Sequence, residues 1–222
     1  MARASNPHSV SIKFLKRDKH LGAFVRRHGP ITHRRAHSPQ AFRSLAEAIV
    51  YQQLSGKAAA TILKRFVELF APAKPASTRR HRRGGFPTPE KVLKIRIEKL
   101  RSAGLSNQKA SYLRDLAAKF IDGTINPRKF AAMSDQEIIE HVTAVKGIGE
   151  WTAHMFLMFT LHRPDVLPTG DLGIQKAFIK IFKLKKKPSP EQMVKLAQVW
   201  AGHRTVACFY LWRYVDQKSE VV

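Results

Sequence analysis

The chain of 222 residues contains little cysteine, few acidic residues and no long apolar run. Its single cysteine, Cys208, excludes an internal disulfide framework and a cysteine-based zinc or iron–sulfur site. Because it lies in the apolar run VACFYLW, we predict a buried thiol, which fits a reducing compartment. The strongest apolar run, at 155–161, is far too short to cross a bilayer. The N-terminus lacks the apolar segment of a signal peptide, so we expect a soluble protein of the cytoplasm or nucleoid, or of the nucleus in a eukaryote.

The shortage of acidic residues leaves a large positive charge. Lys and Arg number 40 against 16 Asp and Glu, so the formal net charge is +24. A charge of this size favours a polyanionic partner, most often nucleic acid, but does not separate DNA from RNA, the ribosome or an anionic membrane. Hydrophobic residues make up 44% of the chain, which is too much for a disordered basic tail. The ten histidines are scattered without the spacing of metal ligands.

Apolar residues recur at helical spacing along most of the chain, and no stretch has the pattern of a strand. Helix starts are marked by Ser-Pro, as at Ser38-Pro39, and by the capping-box pattern of Ser134 and Glu137. We therefore predict an all-α protein of roughly ten short helices. Further predicted helices span about 56–70, 88–104 (ended by Gly104), 106–120, 150–161, 171–183, 190–200 and 203–216.

One stretch, residues 71–87, combines Pro, Gly and a basic run with no acidic residue. This composition predicts an exposed insertion. It is either a solvated loop or a non-specific phosphate contact, and the sequence leaves both interpretations open.

A Gly-Ile-Gly turn between two predicted helices is the most informative motif. Gly147 and Gly149 allow a tight turn and close approach by another backbone, and the nearby N–H groups form a pocket suited to a phosphate. Lys146 adds charge, Thr152 adds a hydroxyl, and Ile148 can anchor the turn in the core. The alternative is a plain turn between helices.

Asp171 is an isolated acid in a basic neighbourhood. Between Glu150 and Glu191 the only other acid is Asp165, whereas Lys and Arg number seven. A carboxylate beside bound phosphates weakens binding, so its presence needs a reason. It could cap the helix that begins near Leu172. It could also stabilise an oxocarbenium-like sugar cation or activate water, and the two roles are compatible.

Together, these motifs resemble the helix–hairpin–helix base-excision glycosylases. KGIGEWTA followed by LPTGDLGIQKAF is similar to their alkylation-repair branch, the 3-methyladenine DNA glycosylase II family, and the stretches at 49–59, 104–110 and 210–213 agree. The resemblance implies two helical lobes with the active site in the cleft between them. One lobe would be 41–163, with the hairpin at 143–153, and the other would be 12–40 plus 164–216, with Asp171.

The resemblance implies a monofunctional enzyme that flips alkylated purines out of duplex DNA and hydrolyses the N-glycosidic bond without a cofactor. Asp171 matches the catalytic aspartate of the family. Bifunctional relatives carry a lysine nucleophile where this chain has Trp151, so we expect no lyase activity. Trp151, Trp212 and Tyr51 are expected to line an aromatic base pocket, although ordinary core packing is the alternative for each Trp. We also expect a monomer and no membrane partner.

The same resemblance places DNA contacts on two loops and the hairpin. Gln53 and Leu54 are the candidates for the side chain that wedges into the gap left by the flipped base, unless Leu54 is buried. Backbone carbonyls of Thr143, Val145 and Ile148 could hold a monovalent cation. The predicted DNA-binding set is Gln52, Gln53, Leu54, Ser55, Ser106, Lys109, Lys146, Gly147, Ile148, Gly149 and Thr152.

One departure and two alternatives accompany this interpretation. Residues 200–207 lack the Pro and aromatic usual between the Trp and the Arg, which could shift Trp212 and alter the substrate range. A non-catalytic damage-binding protein is the first alternative, and retention of Asp171 argues against it. A glycosylase for oxidised or mismatched bases is the second. The missing lysine and the single cysteine argue against that one.

Overall fold

A computed structural model describes residues 6–31, 41–71 and 85–216, and all regular secondary structure in these ranges is helical. The predicted all-α class is therefore confirmed for the described residues. Two short 3-10 helices accompany the α-helices, at Pro127–Lys129 and Ala197–Trp200. The α-helices are α1 (Ser9–Leu15), α2 (Gly22–His28), α3 (Ala41–Tyr51), α4 (Gly56–Glu68), α5 (Pro89–Lys94), α6 (Ile97–Ser102), α7 (Asn107–Ile121), α8 (Asp135–Thr143), α9 (Glu150–Phe159), α10 (Leu172–Ile181), α11 (Pro190–Leu196) and α12 (Arg204–Asp216).

Local sequence signals account for several helix starts. Ser134 and Glu137 form the predicted capping box before α8, with both reciprocal hydrogen bonds present. A second capping box precedes α11, where Ser189 accepts from the N–H of Gln192 and the Gln192 side chain accepts in return. The predicted start at Ser38-Pro39 lies outside the described residues.

One predicted helix, from Thr88 to Gly104, is two helices in the structure. Ile95 and Arg96 take extended backbone between α5 and α6. The guanidinium of Arg114 donates to the carbonyls of Leu93 and Ile95 at 3.0 and 2.8 Å. This side chain satisfies carbonyls that helix breakage leaves without an intrahelical partner, and it thereby stabilises the break.

The chain divides into two compact units. One unit is Ser38–Ala153, and the other combines Met1–His37 with His154–Val222. Helix α9 contains the point of division. The lobe boundaries implied by the family resemblance remain a prediction.

Each unit has its own apolar core. In Ser38–Ala153, side chains of α3, α4 and α7 are fully buried, including Leu45, Phe66 and Leu113. In the other unit, seven consecutive residues of α12 are buried, from Thr205 to Leu211. Each large apolar side chain removed from water stabilises the fold by about 1.5–3 kcal/mol.

The prediction that residues 71–87 form an exposed insertion is wrong at the C-terminal end of this stretch. Phe86 packs edge-on against Phe42 and lies against Phe66, with ring centroids 6.1 and 5.9 Å apart, and Pro87 is buried. Burial of these apolar side chains stabilises the fold, and this outweighs the tendency of a Pro- and Gly-rich stretch to remain exposed. The basic part of the insertion, within 72–84, lies outside the described residues.

Among the described helices, none combines the length and the apolar character that spanning a membrane would require.

Candidate DNA-binding and active-site residues

The hairpin joins α8 to α9 and depends on Gly147. That residue has φ +80°, and a Cβ added there would overlap ring carbons of Tyr112. Both the backbone conformation and the available space therefore require glycine. A Cβ at Gly149 would meet nothing within 4 Å, so this side of the turn is open to approach by another molecule.

A hydrogen bond to α7 and the buried side chain of Ile148 hold the turn in place. The backbone N–H of Lys146 donates to Asp115 Oδ2 at 2.8 Å. Ile148 is buried, as predicted, and its N–H donates to the carbonyl of Val145 at 3.1 Å. The predicted contact residue Thr152 is only 7% exposed, so little of it reaches the solvent.

The loop after α3 presents its side chains to solvent. Tyr51 and Leu54 are 41% and 38% exposed, which excludes the interpretation of Leu54 as a buried link. Gln53 adopts φ +56°, a left-handed conformation that side-chain-bearing residues rarely take. Ser55 ends the loop as the N-cap of α4 and accepts from the N–H of Ala58 at 3.5 Å.

Lys109 makes contacts that the sequence did not predict. Its ammonium donates to the carbonyls of Val50 and Gln52 at 2.8 and 2.6 Å. The Gln52 side chain in turn donates to the carbonyl of Gly147 at 2.8 Å, which links the loop to the hairpin. Burial lowers the pKa of the Lys109 ammonium below its ordinary value. Ser106, predicted as a DNA contact, is the N-cap of α7 and accepts from the Lys109 N–H.

Trp151 is the second residue of α9 and is 51% exposed. The alternative that this ring is part of the core is therefore excluded. About half of the residue is therefore accessible to solvent.

Asp171 belongs to the unit that contains α10 and α12. Its Oδ1 accepts from the N–H of Ile174 at 2.9 Å, which makes it the N-cap of α10 as predicted. The same oxygen accepts from Trp212 Nε1 at 2.8 Å. The residue is 9% exposed, so the two donors hold a carboxylate that is almost enclosed.

Trp212 is half-buried within an aromatic cluster. Its ring stacks on Phe159 and Phe209, with centroids 6.2 Å apart in each case. A Cβ at Gly173 would lie 2.9 Å from Trp212 Cδ1, so the glycine leaves room for the indole. A cavity of about 540 Å³ opens beside this cluster. It is lined by Pro30, Ile31, Phe159, Phe209, Trp212, Arg213 and Asp216.

Sequence reasoning missed several residues of these sites. The spacing of Phe209 and Trp212 on one helix could have indicated a shared face. Phe159 and Tyr112 carried no such signal, because their partners lie far away in the chain.

Cys208 is buried, as predicted, and its Sγ lies 3.8 Å from the carbonyl of Val166. Burial raises the pKa of this thiol well above its ordinary value, and the negative charges of Asp171 and Asp165 add to the effect. Within the described parts of the chain, no group of His, Cys, Asp or Glu side chains could hold a metal ion.

The chain belongs to the HhH-GPD superfamily of base excision DNA repair proteins, whose family model matches residues 46–202. A curated relative is DNA-3-methyladenine glycosylase 1 of Schizosaccharomyces pombe. It is 35% identical over 173 residues, which cover 78% of this chain and 71% of that protein. The family membership confirms the resemblance inferred from the hairpin and Asp171.

Two solved structures agree with this assignment. The 3-methyladenine DNA glycosylase of Schizosaccharomyces pombe in complex with abasic DNA has a TM-score of 0.73 and 32% identity. That match covers 92% of this chain and 95% of the other. A DNA-3-methyladenine glycosidase from Bacillus halodurans has a TM-score of 0.80 and 32% identity, with 98% and 93% of the two chains covered.

Proposed function

We propose that this protein is a monofunctional DNA glycosylase of base excision repair that removes alkylated purines of the 3-methyladenine type from duplex DNA. The names of its relatives, the net charge of +24 and the hairpin support this activity. The observation that carries the proposal is the Asp171 carboxylate, whose Oδ1 is held by two donors.

A carboxylate in a fixed orientation suits the hydrolysis of an N-glycosidic bond. As the bond between the sugar and the base breaks, the base leaves with the electron pair and positive charge develops on the sugar. Asp171 would oppose that charge, and it would accept a proton from the water whose oxygen bonds to the sugar carbon. Because Trp212 and Ile174 already orient the carboxylate, little reorganisation is needed during the reaction.

The aromatic cluster offers a surface for a cationic base. Trp212, Phe159 and Phe209 stack beside the cavity of about 540 Å³, and electron-rich ring faces attract a positively charged purine. A base alkylated at N3 or N7 is also a good leaving group, so strong acid catalysis is unnecessary. We therefore expect neutral hypoxanthine to be released more slowly than a cationic base.

The absence of lyase activity is part of the proposal. Trp151 occupies the position where bifunctional relatives carry a lysine, and an indole cannot form a Schiff base with the sugar. We expect intact strands after base release until alkali is added, and no covalent adduct on borohydride treatment.

The test is single-turnover base release from a duplex with one 3-methyladenine-type lesion. Asp171→Asn should retain the helix cap, because asparagine caps as well as aspartate, but should lose base release almost entirely. Asp165→Asn is the matched control. Asp165 lies in the same unit, where it pairs with Arg204 at 3.5 Å, and this variant should retain base release while it stays folded. Tight duplex binding without release by the unaltered protein would instead favour a damage-binding protein.

We also propose a monovalent cation at the hairpin, held by carbonyls of Thr143, Val145 and Ile148. Carbonyl oxygens suit hard cations, and the Val145 carbonyl keeps a second lone pair after accepting from Ile148. Such a cation would add positive charge near a bound phosphate. Replacing K⁺ by tetramethylammonium at constant ionic strength should then weaken duplex binding. Equal affinity in the two salts would refute the site.

We expect no other cofactor, because hydrolysis needs only water. We also expect the protein to act as a monomer.

A further inference from the structure

Helix α7 contacts both of the elements that we propose bind DNA in the unit Ser38–Ala153. Lys109 donates to the carbonyl of Val50, in the last turn of α3, and to that of Gln52, in the loop that follows. The Tyr112 ring lies against Gly147 of the hairpin, and Asp115 accepts from the N–H of Lys146. Lys109, Tyr112 and Asp115 are spaced three apart, so they follow one another along the helix.

The Lys109 ammonium donates its hydrogen bonds to backbone carbonyls of the protein itself. Helix α3 ends at Tyr51, so its last carbonyls, including that of Val50, have no partner within the helix. A cation at a helix C-terminus also interacts favourably with the helix dipole. Lys109 satisfies the Val50 carbonyl and then the Gln52 carbonyl, which lies just beyond the helix.

These contacts determine the conformation of the loop tip. Gln52 is held at two points, since its carbonyl accepts from Lys109 and its side chain donates to Gly147. Directly after it, Gln53 takes the left-handed conformation with φ +56°. Such a conformation persists in a residue other than glycine only where the surroundings impose it. Gln53 and the exposed Leu54 are therefore presented by a loop that Lys109 and Gln52 hold in place.

We propose that Lys109 is a positioning residue for base flipping, and that it does not act as a phosphate contact. It holds the loop so that Gln53 or Leu54 can enter the gap that a flipped base leaves. This inference rests on the proposed function. A wedge that is ordered before binding loses less entropy when it inserts, so more of its contact energy compensates for unstacking.

The two roles of Lys109 predict different behaviour. Loss of a phosphate contact weakens binding to all duplexes alike and reduces the salt slope by about one. Loss of a positioning residue impairs only those substrates whose base must be driven out of a paired helix. The bond-breaking step itself should be unaffected once the base is extrahelical.

The experiment compares Lys109→Met with Lys109→Arg and with Lys119→Met, a control on the same helix. Single-turnover base release is measured on two duplexes, one with the lesion fully paired and one with the lesion opposite an abasic analogue. Lys109→Met should slow release from the paired duplex about ten-fold or more, the scale of a lost charged hydrogen bond, and leave the unpaired lesion near the wild-type rate. Lys109→Arg should restore most of the loss, because a guanidinium can donate to both carbonyls. Lys119→Met should match wild type on both substrates.

An equal loss on both substrates, or a salt slope reduced by about one on undamaged DNA, would overturn the proposal. Hydrogen exchange supplies a readout that needs no activity. Amides of residues 52–55 should exchange faster in Lys109→Met, while the melting temperature stays close to that of Lys119→Met. If wild-type protein releases no base, the proposed function fails. Unchanged exchange in the loop would refute the role of Lys109 independently.

Discussion

A single oxygen of Asp171 serves both the fold and the proposed chemistry. Oδ1 caps α10 through Ile174 and also accepts the indole N–H of Trp212. The cap is a local feature of the chain, whereas the indole bond joins residues 41 positions apart. The orientation of the carboxylate therefore depends on α12 as well as on α10.

The bond from Trp212 to Asp171 can be removed without losing the aromatic ring. Trp212→Phe keeps an aromatic ring for stacking but removes the Nε1 donor, so base release should fall about ten- to a hundred-fold in single-turnover assays. Trp200→Phe is the matched control, since Trp200 Nε1 is buried and has no hydrogen-bond partner among the described residues. That variant should lose packing and some stability, but keep its rate at temperatures where it is folded. Equal rates for the two variants would contradict an orienting role for the indole.

A second prediction concerns the strained Gln53. Gln53→Gly should raise the free energy of unfolding by up to about 1 kcal/mol, because glycine takes φ +56° without steric cost. It should also slow base release from a paired duplex, because the wedge candidate is gone. Lys183 has φ +55° and lies in the other unit, so Lys183→Gly should gain similar stability without losing activity. Urea unfolding and single-turnover rates measure both quantities. A loss of stability in Gln53→Gly would show that the conformation is not strained.

The hairpin contains two glycines whose positions tolerate a side chain differently. Gly147→Ala should lower the free energy of unfolding by about 1–3 kcal/mol, because φ is +80° and a methyl group would overlap the Tyr112 ring. Gly149→Ala should leave unfolding nearly unchanged, because its Cβ would face open space.

Duplex binding separates the structural from the functional cost of these two changes. Both variants should bind duplex DNA more weakly, the first through a distorted turn and the second through a blocked approach. Thermal unfolding and fluorescence anisotropy with a labelled duplex measure the two effects. Full affinity in Gly149→Ala would argue against a close contact between this turn and the DNA backbone.

For the whole molecule, the net charge of +24 predicts duplex binding that weakens steeply with salt. Five of the cations lie in the basic insertion, at Lys74, Arg79, Arg80, Arg82 and Arg83. Replacing residues 73–84 by a neutral Gly/Ser linker of equal length should reduce the salt slope by up to about 4.5 if this segment contacts phosphates.

The structure determines where that replacement must stop. Phe86 packs on Phe42 and Phe66, and Pro87 is buried, so a deletion through residue 87 would also damage the core. An unchanged slope and affinity in the linker variant would show that the insertion is merely solvated.

Features that depend on neighbouring residues could be predicted from the sequence. The capping box of Ser134, the N-cap at Asp171 and the glycine turn each rest on groups a few positions apart. Helical periodicity likewise predicted most helices, and it was wrong where Arg114 stabilises a break between α5 and α6. That bond joins residues about twenty positions apart, which no local pattern reveals.

Short motifs and the spacing of apolar residues were enough to predict the helical class, the hairpin, the cap at Asp171 and the family. The hydrogen-bond partners of Lys109 and Trp212, in contrast, could be identified only in the folded chain. Their partners are 57 to 59 and 41 positions away, respectively. Such contacts arise when helices pack and buried polar groups must find partners. For this reason no local pattern in the sequence predicts the contact of Lys109 with the carbonyls of Val50 and Gln52.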